Sequence, residues 1–546
     1  MLRNFLTPGL HRRVDLRHSG TVIETELKLD LDRETEQRLL RDRRLGALAR
    51  GRATRRMLRS IYFDTAGRDL ARAGMGLRLR KEGRVWTQTI KLSQEMQGGL
   101  SRAEEHVCPA PGGRLVLEGI SDPATARLLH ERIGGLALSP VFETRIRRIT
   151  RILEVPDAVI EMALDRGEIV AGDKVQALGE LELELLEGDV SGLYDLLRRI
   201  LPPGALRFSP CSKAARGMRL ADGETQPLEP GRVRRAAPVA LSPGQTAEEA
   251  ARDVLREAAA QISGNLAWLA SEAGRMDPEG LKQLRVGLRR LRASFKVFDA
   301  EIGGEPAAAL AEEARWLAGA AGRVRDYDVI LDELIAPELA ATGDPGFERL
   351  REALSARREV ARQALAAILG THRVDCFVID LIAFTETRGW LDSGDLTQTR
   401  RLAAPVPEVA QRALDRRWRK ARKRARGMAE MDIEARHELR KELKKLRYAI
   451  EYLRNLYPDA VLKPFLKPLK RLQAVFGDLN DVAMAEAHLL GEDAVVAEDP
   501  LAQRAVGRLI GARLARAEAM WLIAQTRWQE LGEIAPFWRR DPSRHG

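Results

Sequence analysis

The sequence predicts a multidomain α+β protein, strand-rich up to about residue 221 and helical from about residue 246. Three observations carry that prediction. Short stretches of the first half alternate charged and apolar residues. The plainest, Glu180-Leu181-Glu182-Leu183-Glu184-Leu185, puts three Glu on one face and three Leu on the other. The stretch 222–245 holds Pro227, Pro230, Pro238, Pro243 and several glycines without a sustained apolar period, so it reads as an exposed inter-domain linker. The second half repeats itself: the run from Lys282 to Arg292 aligns with His437 to Arg447, and Trp316 to Asp326 aligns with Arg471 to Asp481, each 155 positions on. Two separate matches at one offset argue for an all-α region of two tandem helical bundles, about 246–395 and 405–538.

Residues 1–20 read as an N-terminal extension and 21–221 as the first domain. Glu24, Glu26 and Lys28 share one face of its first strand. Arg33 to Leu48 has helical spacing. Strands follow at Ser60–Asp64, at Gly76–Lys81 with Arg78 and Arg80 together, and at Trp86–Leu92 with Thr87, Thr89 and Lys91 together. Arg102, Glu104 and His106 share a face in the next. Phe142 to Ile149 places Arg145 with Arg147, and Ala158 to Leu164 carries Glu161.

So many strands, each charged on one face, need a common explanation. Turned outward, the charges are solvated around an apolar interior. Turned inward, they line a polar tunnel inside a closed sheet. Periodicity does not choose between the two. Acids cluster on two strands and bases on others, and carboxylates for a divalent cation beside a basic cage suit phosphoryl transfer.

The net charge is +11 and the pI about 9.7, which points to polyanionic partners. Cys108, Cys211 and Cys376 are far apart, with no zinc or disulfide spacing, as in a reducing cytosol. The first twenty residues lack a signal-length apolar core, and the apolar run Phe377–Phe384 is too short to span a membrane and contains Asp380. A cytoplasmic, non-membrane protein is expected.

The stretch ETELK resembles the ExExK signature of the CYTH domains, the triphosphate tunnel metalloenzymes. SIYFDT, GLRLRK, the segment around Lys91, Arg102 with Glu104, TRIRR, IEMALDRGEI, ELELEL and SKAARG around Lys213 follow in the family's order. The resemblance implies a closed antiparallel β-barrel, a divalent metal (Mg²⁺ or Mn²⁺), and hydrolysis or cyclisation of a triphosphate. It implies a catalytic core of Glu24, Glu26 and Lys28, and metal ligation by Glu24, Glu26, Glu161, Glu182 and Glu184. Lys28, Arg78, Arg80, Lys91, Arg145, Arg147 and Lys213 would be phosphate ligands. Asp165 lies in a matching segment. A second acid that the family carries two residues after the first falls here at His106.

Helical patterning begins near Thr246, an N-cap followed by Glu248 and Glu249. Lys282, Arg285, Arg289, Arg292 and Lys296 line one helix face, and His437, Arg440, Lys444 and Arg447 do the same in the second copy. Leu284, Leu288 and Leu291, and Leu439, Leu443 and Leu446, form the adjacent apolar stripes. The basic stripes read either as a polyanion site or as a solvated face. HELRKELKKLRY, RLQAVFGDLNDV, LRVGLRRLR and AGRVRDYDV resemble the CHAD domain, a helical histidine-containing module over residues 246–538. That resemblance implies polyphosphate binding along a basic groove, and targeting to polyphosphate granules. The family's His in the first copy is Lys282 here, which fixes the charge. Asp326 and Asp481 read as structural partners of the basic residues. Arg416 to Arg426 is a separate cationic run that either extends a phosphate surface, contacts nucleic acid or is solvated.

The combined expectation is an inorganic triphosphatase, a hydrolase of phosphorus anhydrides, joined to a polyphosphate-binding module. A metal-activated water would attack, without a covalent intermediate. Adenylate cyclase and thiamine triphosphatase are alternatives within the enzyme class. A non-catalytic polyphosphate binder is the alternative outside it. Nucleic acid is disfavoured, since no recognised module for it appears.

Overall fold

The computed structural model describes residues 22–224, 232–490 and 499–539; the side chains at 22, 93–95, 478 and 480–482 are outside that description. The expected N-terminal extension, part of the expected linker, and the Asp481 side chain therefore lie outside the described residues. The chain divides into two compact units, Met1–Glu229 and Pro230–Gly546.

The first unit is a closed antiparallel barrel of eight strands. They are β1 (Val22–Asp30), β2 (Thr54–Asp64), β3 (Met75–Glu82), β4 (Val85–Gln97), β5 (Leu100–Pro109), β6 (Ser139–Val155), β7 (Ala158–Ala171) and β8 (Lys174–Gly188). Their order around the barrel is β1-β5-β4-β3-β2-β6-β7-β8, and β8 returns to β1. Charged faces turn inward, where residues from non-adjacent strands meet, as Arg78 of β3 meets Glu105 of β5. The apolar faces are buried from outside by helices. Leu181 and Leu183 of β8 are fully buried, as are Leu193, Leu196 and Leu197 of a helix that packs on β7 and β8.

Helices of nine residues or more are numbered here. In the first unit they are α1 (Arg33–Arg41), α2 (Pro123–Ile133), α3 (Ser191–Ile200) and α4 (Lys213–Ala221). The helix expected over Arg33–Leu48 is broken at Asp42, whose extended backbone ends α1 while its carboxylate caps the next turn through the Arg44 amide at 2.8 Å. Helix α3 covers β7 and β8, α2 covers an apolar patch of Leu70, Leu77 and Ile90, and α4 lies against β6, β7 and β8.

The second unit is helical: α5 (Ala247–Ala270), α6 (Pro278–Val297), α7 (Glu305–Val329), α8 (Pro345–Leu369), α9 (His372–Glu386), α10 (Val406–Arg424), α11 (Ile433–Leu453), α12 (Asp459–Leu490) and α13 (Pro500–Glu533). Thr246 and Glu249 form the full capping box that starts α5. The repeat survives in three dimensions. Helices α6 and α11 begin at Pro278 and Ile433, and α8 and α13 at Pro345 and Pro500, each pair 155 residues apart. The two copies are tied at their starts by a β-bridge between Thr246 and Pro405. Both leucine stripes, Leu284-Leu288-Leu291 and Leu439-Leu443-Leu446, are fully buried.

The stretch expected to be an exposed linker is anchored in its later part. Val239 and Leu241 are buried, Arg234 N–H donates to Asn265, and Asn455 donates to the Val239 carbonyl. Its prolines suit extended backbone docked on helices as well as they suit free chain. No described helix is long and apolar enough to cross a membrane, and the three cysteines are free thiols.

Candidate active site

Side chains on a strand alternate, so the inward phase of each strand fixes which charges enter the barrel. On β1 that phase is Glu24, Glu26 and Lys28. Lys28 Nζ sits 2.6 Å from Glu182 and 2.9 Å from Glu26. Lys91 of β4 reaches Glu24 at 2.6 Å and Glu26 at 2.9 Å. Arg78 of β3 reaches Glu105 of β5 at 2.8 Å. Lys213 enters from α4 and donates to Glu182 at 2.7 Å and to Glu180, with Asp165 at 2.9 Å. Arg148 of β6 is bidentate on Asp165 and also bonds Glu182.

Two expectations for the phosphate cage are corrected. Arg145 and Arg147 face outward and are about half exposed. Arg145 pairs with Glu143 and Glu168, and Arg147 with Glu36 of α1. Their neighbour Arg148 takes the inward position. TRIRRIT carries charge on both phases, so alternation alone did not fix which arginine enters. The phase of Asp165, which faces Arg148 across the β6–β7 ladder, was the usable signal.

The face of β5 is corrected in the same way. Arg102, Glu104 and His106 lie on its outer side. His106 is buried there beside Glu104 at 3.0 Å and Thr125 of α2 at 3.1 Å. Glu105, which sequence reasoning missed, is the inward acid. The departure at His106 therefore does not touch the tunnel. Glu104, His106 and Asp122 bring their ligand atoms within 4.8 Å of one another, but on the outer face, and the Asp122 carboxylate caps α2.

The interior is polarised. At one end, Glu184 stands directly opposite Glu26 of β1 and Glu161 of β7. Burial and then the charges of Glu24, Glu161, Glu26 and Glu182 push the Glu184 carboxyl up to about 8. Glu24 is raised by burial and by its hydrogen bond to Glu105, and Glu161 chiefly by burial. Glu182 differs: burial opposes its ionisation, but Lys213, Lys28 and Arg148 outweigh it and hold the group well below the carboxylate range. Both Glu182 oxygens are taken up by these cations. This acid, expected as a metal ligand, is paired here with three cations.

Deeper in, Arg80 bonds Ser60 Oγ at 3.2 Å and has no carboxylate in ion-pair range among the described residues. Burial, Arg78 and Arg148 pull Arg80 down to about 10. Arg78 Nε is buried and has no hydrogen-bond partner among the described residues. Glu105 is held at about 2: burial opposes this, but Arg78 leads the charges that outweigh it.

Beside Arg78, whose ladder partner is Tyr62, lies an apolar inward layer. Tyr62 stacks on Phe142 with ring centroids 4.3 Å apart, among Leu58, Ile146, Ile169 and Leu178. Leu220 of α4 closes this layer, and a Cβ at Gly217 would lie 2.1 Å from the Phe142 ring. The tunnel has a floor, which the alternating charges did not foretell.

In the helical unit the basic stripes are half buried. Arg285 faces Asp326 at 3.5 Å, and Arg289 Nε is buried without a hydrogen-bond partner among the described residues. His488 lies 3.8 Å from Asp326. Lys282 is exposed and paired with Glu279 at 3.0 Å. His437 is pushed below its usual value by burial and then by Lys441, Arg440 and Lys444. Arg447 pairs with Glu451 at 3.6 Å, while Arg292 is pulled down by burial and by Arg315.

Comparisons with known proteins agree with this layout. Residues 22–217 match the CYTH domain and residues 254–490 the CHAD domain. The inorganic triphosphatase of Haemophilus influenzae is 33% identical over 162 residues, 29% of this chain; the match spans 45% of that protein. An uncharacterized Mycobacterium tuberculosis protein is 28% identical over 470 residues, 79% of this chain and 82% of its own length. The crystal structure of the CHAD domain from the plant Ricinus communis is 27% identical, with a TM-score of 0.47, covering 56% of this chain and 98% of that one. Residues 22–217 of the chain are therefore a CYTH domain, a charged triphosphate-tunnel barrel, and residues 254–490, in the helical part, a CHAD domain.

Proposed function

We propose that the tunnel hydrolyses inorganic triphosphate with a divalent metal, and that the helical domain binds inorganic polyphosphate. One observation carries the first half. The interior holds groups of both signs without an ion-pair partner among the described residues: Glu184, which stands opposite Glu26 and Glu161, and Arg80, which bonds Ser60 Oγ. A hard dication at the acids and a phosphate chain at the bases relieve both together.

The all-oxygen donor set of Glu24, Glu161 and Glu184, with Glu26 adjacent, suits Mg²⁺ or Mn²⁺. A metal held there would supply Lewis-acid stabilisation and a water acidified for attack. Arg78 and Arg80 bind the inner phosphates, with Arg78 Nε and the Arg80 guanidinium as open donors. Lys28 and Lys91 bridge the two poles and neutralise charge at the scissile bond. Arg148 and Lys213 fix Glu182 and hold the cage in shape. The Tyr62–Phe142 floor excludes water and limits how far a chain enters. A bare triphosphate makes use of every charged wall, and the name of the Haemophilus relative supports that substrate. The second half rests on the half-buried basic stripes of α6 and α11.

Phosphorus NMR of the products is the test. Conversion of triphosphate to phosphate and pyrophosphate, dependent on added metal, supports the reading. Cyclic AMP and pyrophosphate from ATP, with triphosphate untouched, would replace it with a cyclase. No turnover with polyphosphate still bound would favour the non-catalytic binder, and the granule location would then be the main function to pursue.

A further inference from the structure

Helix α10 presents two kinds of cation. On its packed side, Arg416 and Arg417 donate to the Lys296 carbonyl and Trp418 is buried against Phe465 and Trp528. These are structural. On its other side Arg419, Lys420, Arg422, Lys423 and Arg424 are exposed, as is Arg426 just past its end, six cations within eight residues. None of the six has a carboxylate in ion-pair range among the described residues; Arg419 bonds only the Asp415 carbonyl, at 3.4 Å. Other exposed arginines of the same unit are paired with carboxylates, although Arg323, Arg349 and Arg400 are exposed without one among the described residues. Arg412, about two turns before Arg419 on α10, pairs with Glu301 at 2.9 Å, Arg373 with Glu313 at 2.8 Å, and Arg504 with Asp344 at 2.7 Å. Cations three and four residues apart repel one another along the exposed face. The helix C-terminus favours positive charge, but only within its last turn, and Arg419 and Lys420 stand before it.

The run lies near the start of the second basic stripe. Helices α10 and α11 pack together, and the charge of Arg424 acts on Glu438, which neighbours His437 and pairs with Lys441 at 2.8 Å. A polyanion seated along His437, Arg440 and Lys444 therefore leaves the stripe beside the cationic end of α10.

We propose that the exposed face of α10 from Arg419 to Arg424, with Arg426 just past its end, is a second, outer contact for inorganic polyphosphate, reached only by chains long enough to extend beyond the α11 stripe. The inference rests on polyphosphate binding by the helical unit. It adds a chain-length preference: short chains use the stripe alone, and long chains use the stripe and α10. Such a contact is ionic and strongly dependent on salt, with no base-stacking aromatic to favour nucleic acid, because Trp418 is buried.

The experiment uses the full chain and polyphosphates of two defined lengths, short and long, titrated over a range of salt. The variant is Lys420→Gln/Arg422→Gln/Lys423→Gln/Arg426→Gln, with its thermal melt recorded. The expected result is about a tenfold weaker long-chain affinity near 0.1 M salt and a log–log salt slope smaller by about 3, as loss of four phosphate contacts requires. Short-chain affinity stays as in wild type. Unchanged binding of both lengths would overturn the proposal, as would loss of RNA binding with long-chain polyphosphate intact. Wild type that binds neither length would instead overturn the polyphosphate reading itself. A second measurement needs no variant: acetylation of Lys420 and Lys423 should slow several-fold with long-chain polyphosphate and not with short. Equal reactivity under all conditions would contradict the outer contact.

Discussion

Lys28 Nζ lies 2.6 Å from Glu182 Oε1, its direct partner on the neighbouring strand, and both side chains are buried. The pair joins the acidic stretch of β1 to the cage around Glu182. Lys28→Met removes one of three cations on Glu182 and leaves Lys213 and Arg148. Activity should fall about 10²–10³-fold, the usual cost of a lost electrostatic donor. Stability should fall by about 3 kcal/mol, measured by urea unfolding of the purified chain, since breaking a buried ion pair costs that order. An unchanged turnover rate would place the chemistry elsewhere.

Arg147 and Arg148 are adjacent in sequence and face opposite ways. Arg148→Gln should lower triphosphate turnover about 100-fold or more. Arg147→Gln and Arg145→Gln remove half-exposed arginines whose partners Glu36 and Glu143 keep Arg166 and Arg59, and should stay within about twofold of wild type in activity and within about 0.5 kcal/mol in stability. Steady-state kinetics on the three variants separates the inward arginine from the outward two.

The same stretch shows what the sequence discloses. Period-two alternation in ELELEL is unambiguous because every second residue is Leu, so the shared face of Glu180, Glu182 and Glu184 was legible there, while the closed barrel and the inward turn of that face followed only from the family resemblance. SRAEEH and TRIRRIT were not, because each carries charge on both phases. There the reading took Glu104 and His106 for Glu105, and Arg145 and Arg147 for Arg148. The β4–β5 ladder also shifts register between Ser93 and Glu95, which no alternation predicts. The floor was invisible for another reason: Tyr62, Phe142 and Leu178 look like ordinary core residues, and only barrel closure shows that they block a tunnel. In the helical half, the offset of 155 placed both bundles, while the pairing of Lys282 with Glu279 depends on rotamers.

Glu184 sets a pH dependence. Its folded value of about 8 lies above the ordinary carboxylate value of 4.5, so between these the unfolded chain binds fewer protons than the folded one. Metal-free protein should therefore lose stability as pH rises from 5 to 8. Glu184→Gln should flatten that slope, and Mg²⁺ should restore stability at pH 8. Thermal melts across this range, with and without chelator, check it; a melting temperature that rises toward pH 8 without metal would contradict it.

His437 acts with the opposite sign. Its folded pKa is depressed, so protonation disfavours the folded state as pH drops below 6.5. A bound polyanion favours the protonated ring. Polyphosphate affinity should rise several-fold from pH 7.5 to 5.5, with uptake of no more than one proton at this position. His437→Gln should remove that rise in fluorescence titrations at constant ionic strength.

Gly217 allows α4 to close the floor against Phe142. Gly217→Ala brings a Cβ to 2.1 Å from that ring, so helix or ring must move. A loss of about 1–3 kcal/mol is expected from overpacking, with weaker triphosphatase activity because Lys213 shares the helix. Urea unfolding and turnover of this variant, beside Gly223→Ala at the helix exit as a comparison of left-handed backbone strain, measure both effects.

The most direct measurement is phosphate release from inorganic triphosphate by wild type and Glu24→Gln/Glu184→Gln, with Mg²⁺, with Mn²⁺ and with chelator. The account predicts metal-dependent release by wild type that falls at least 100-fold in the variant and vanishes with chelator. Release that persists in chelator, or that the variant retains in full, would contradict a metal-assisted reaction at the acidic end of the tunnel.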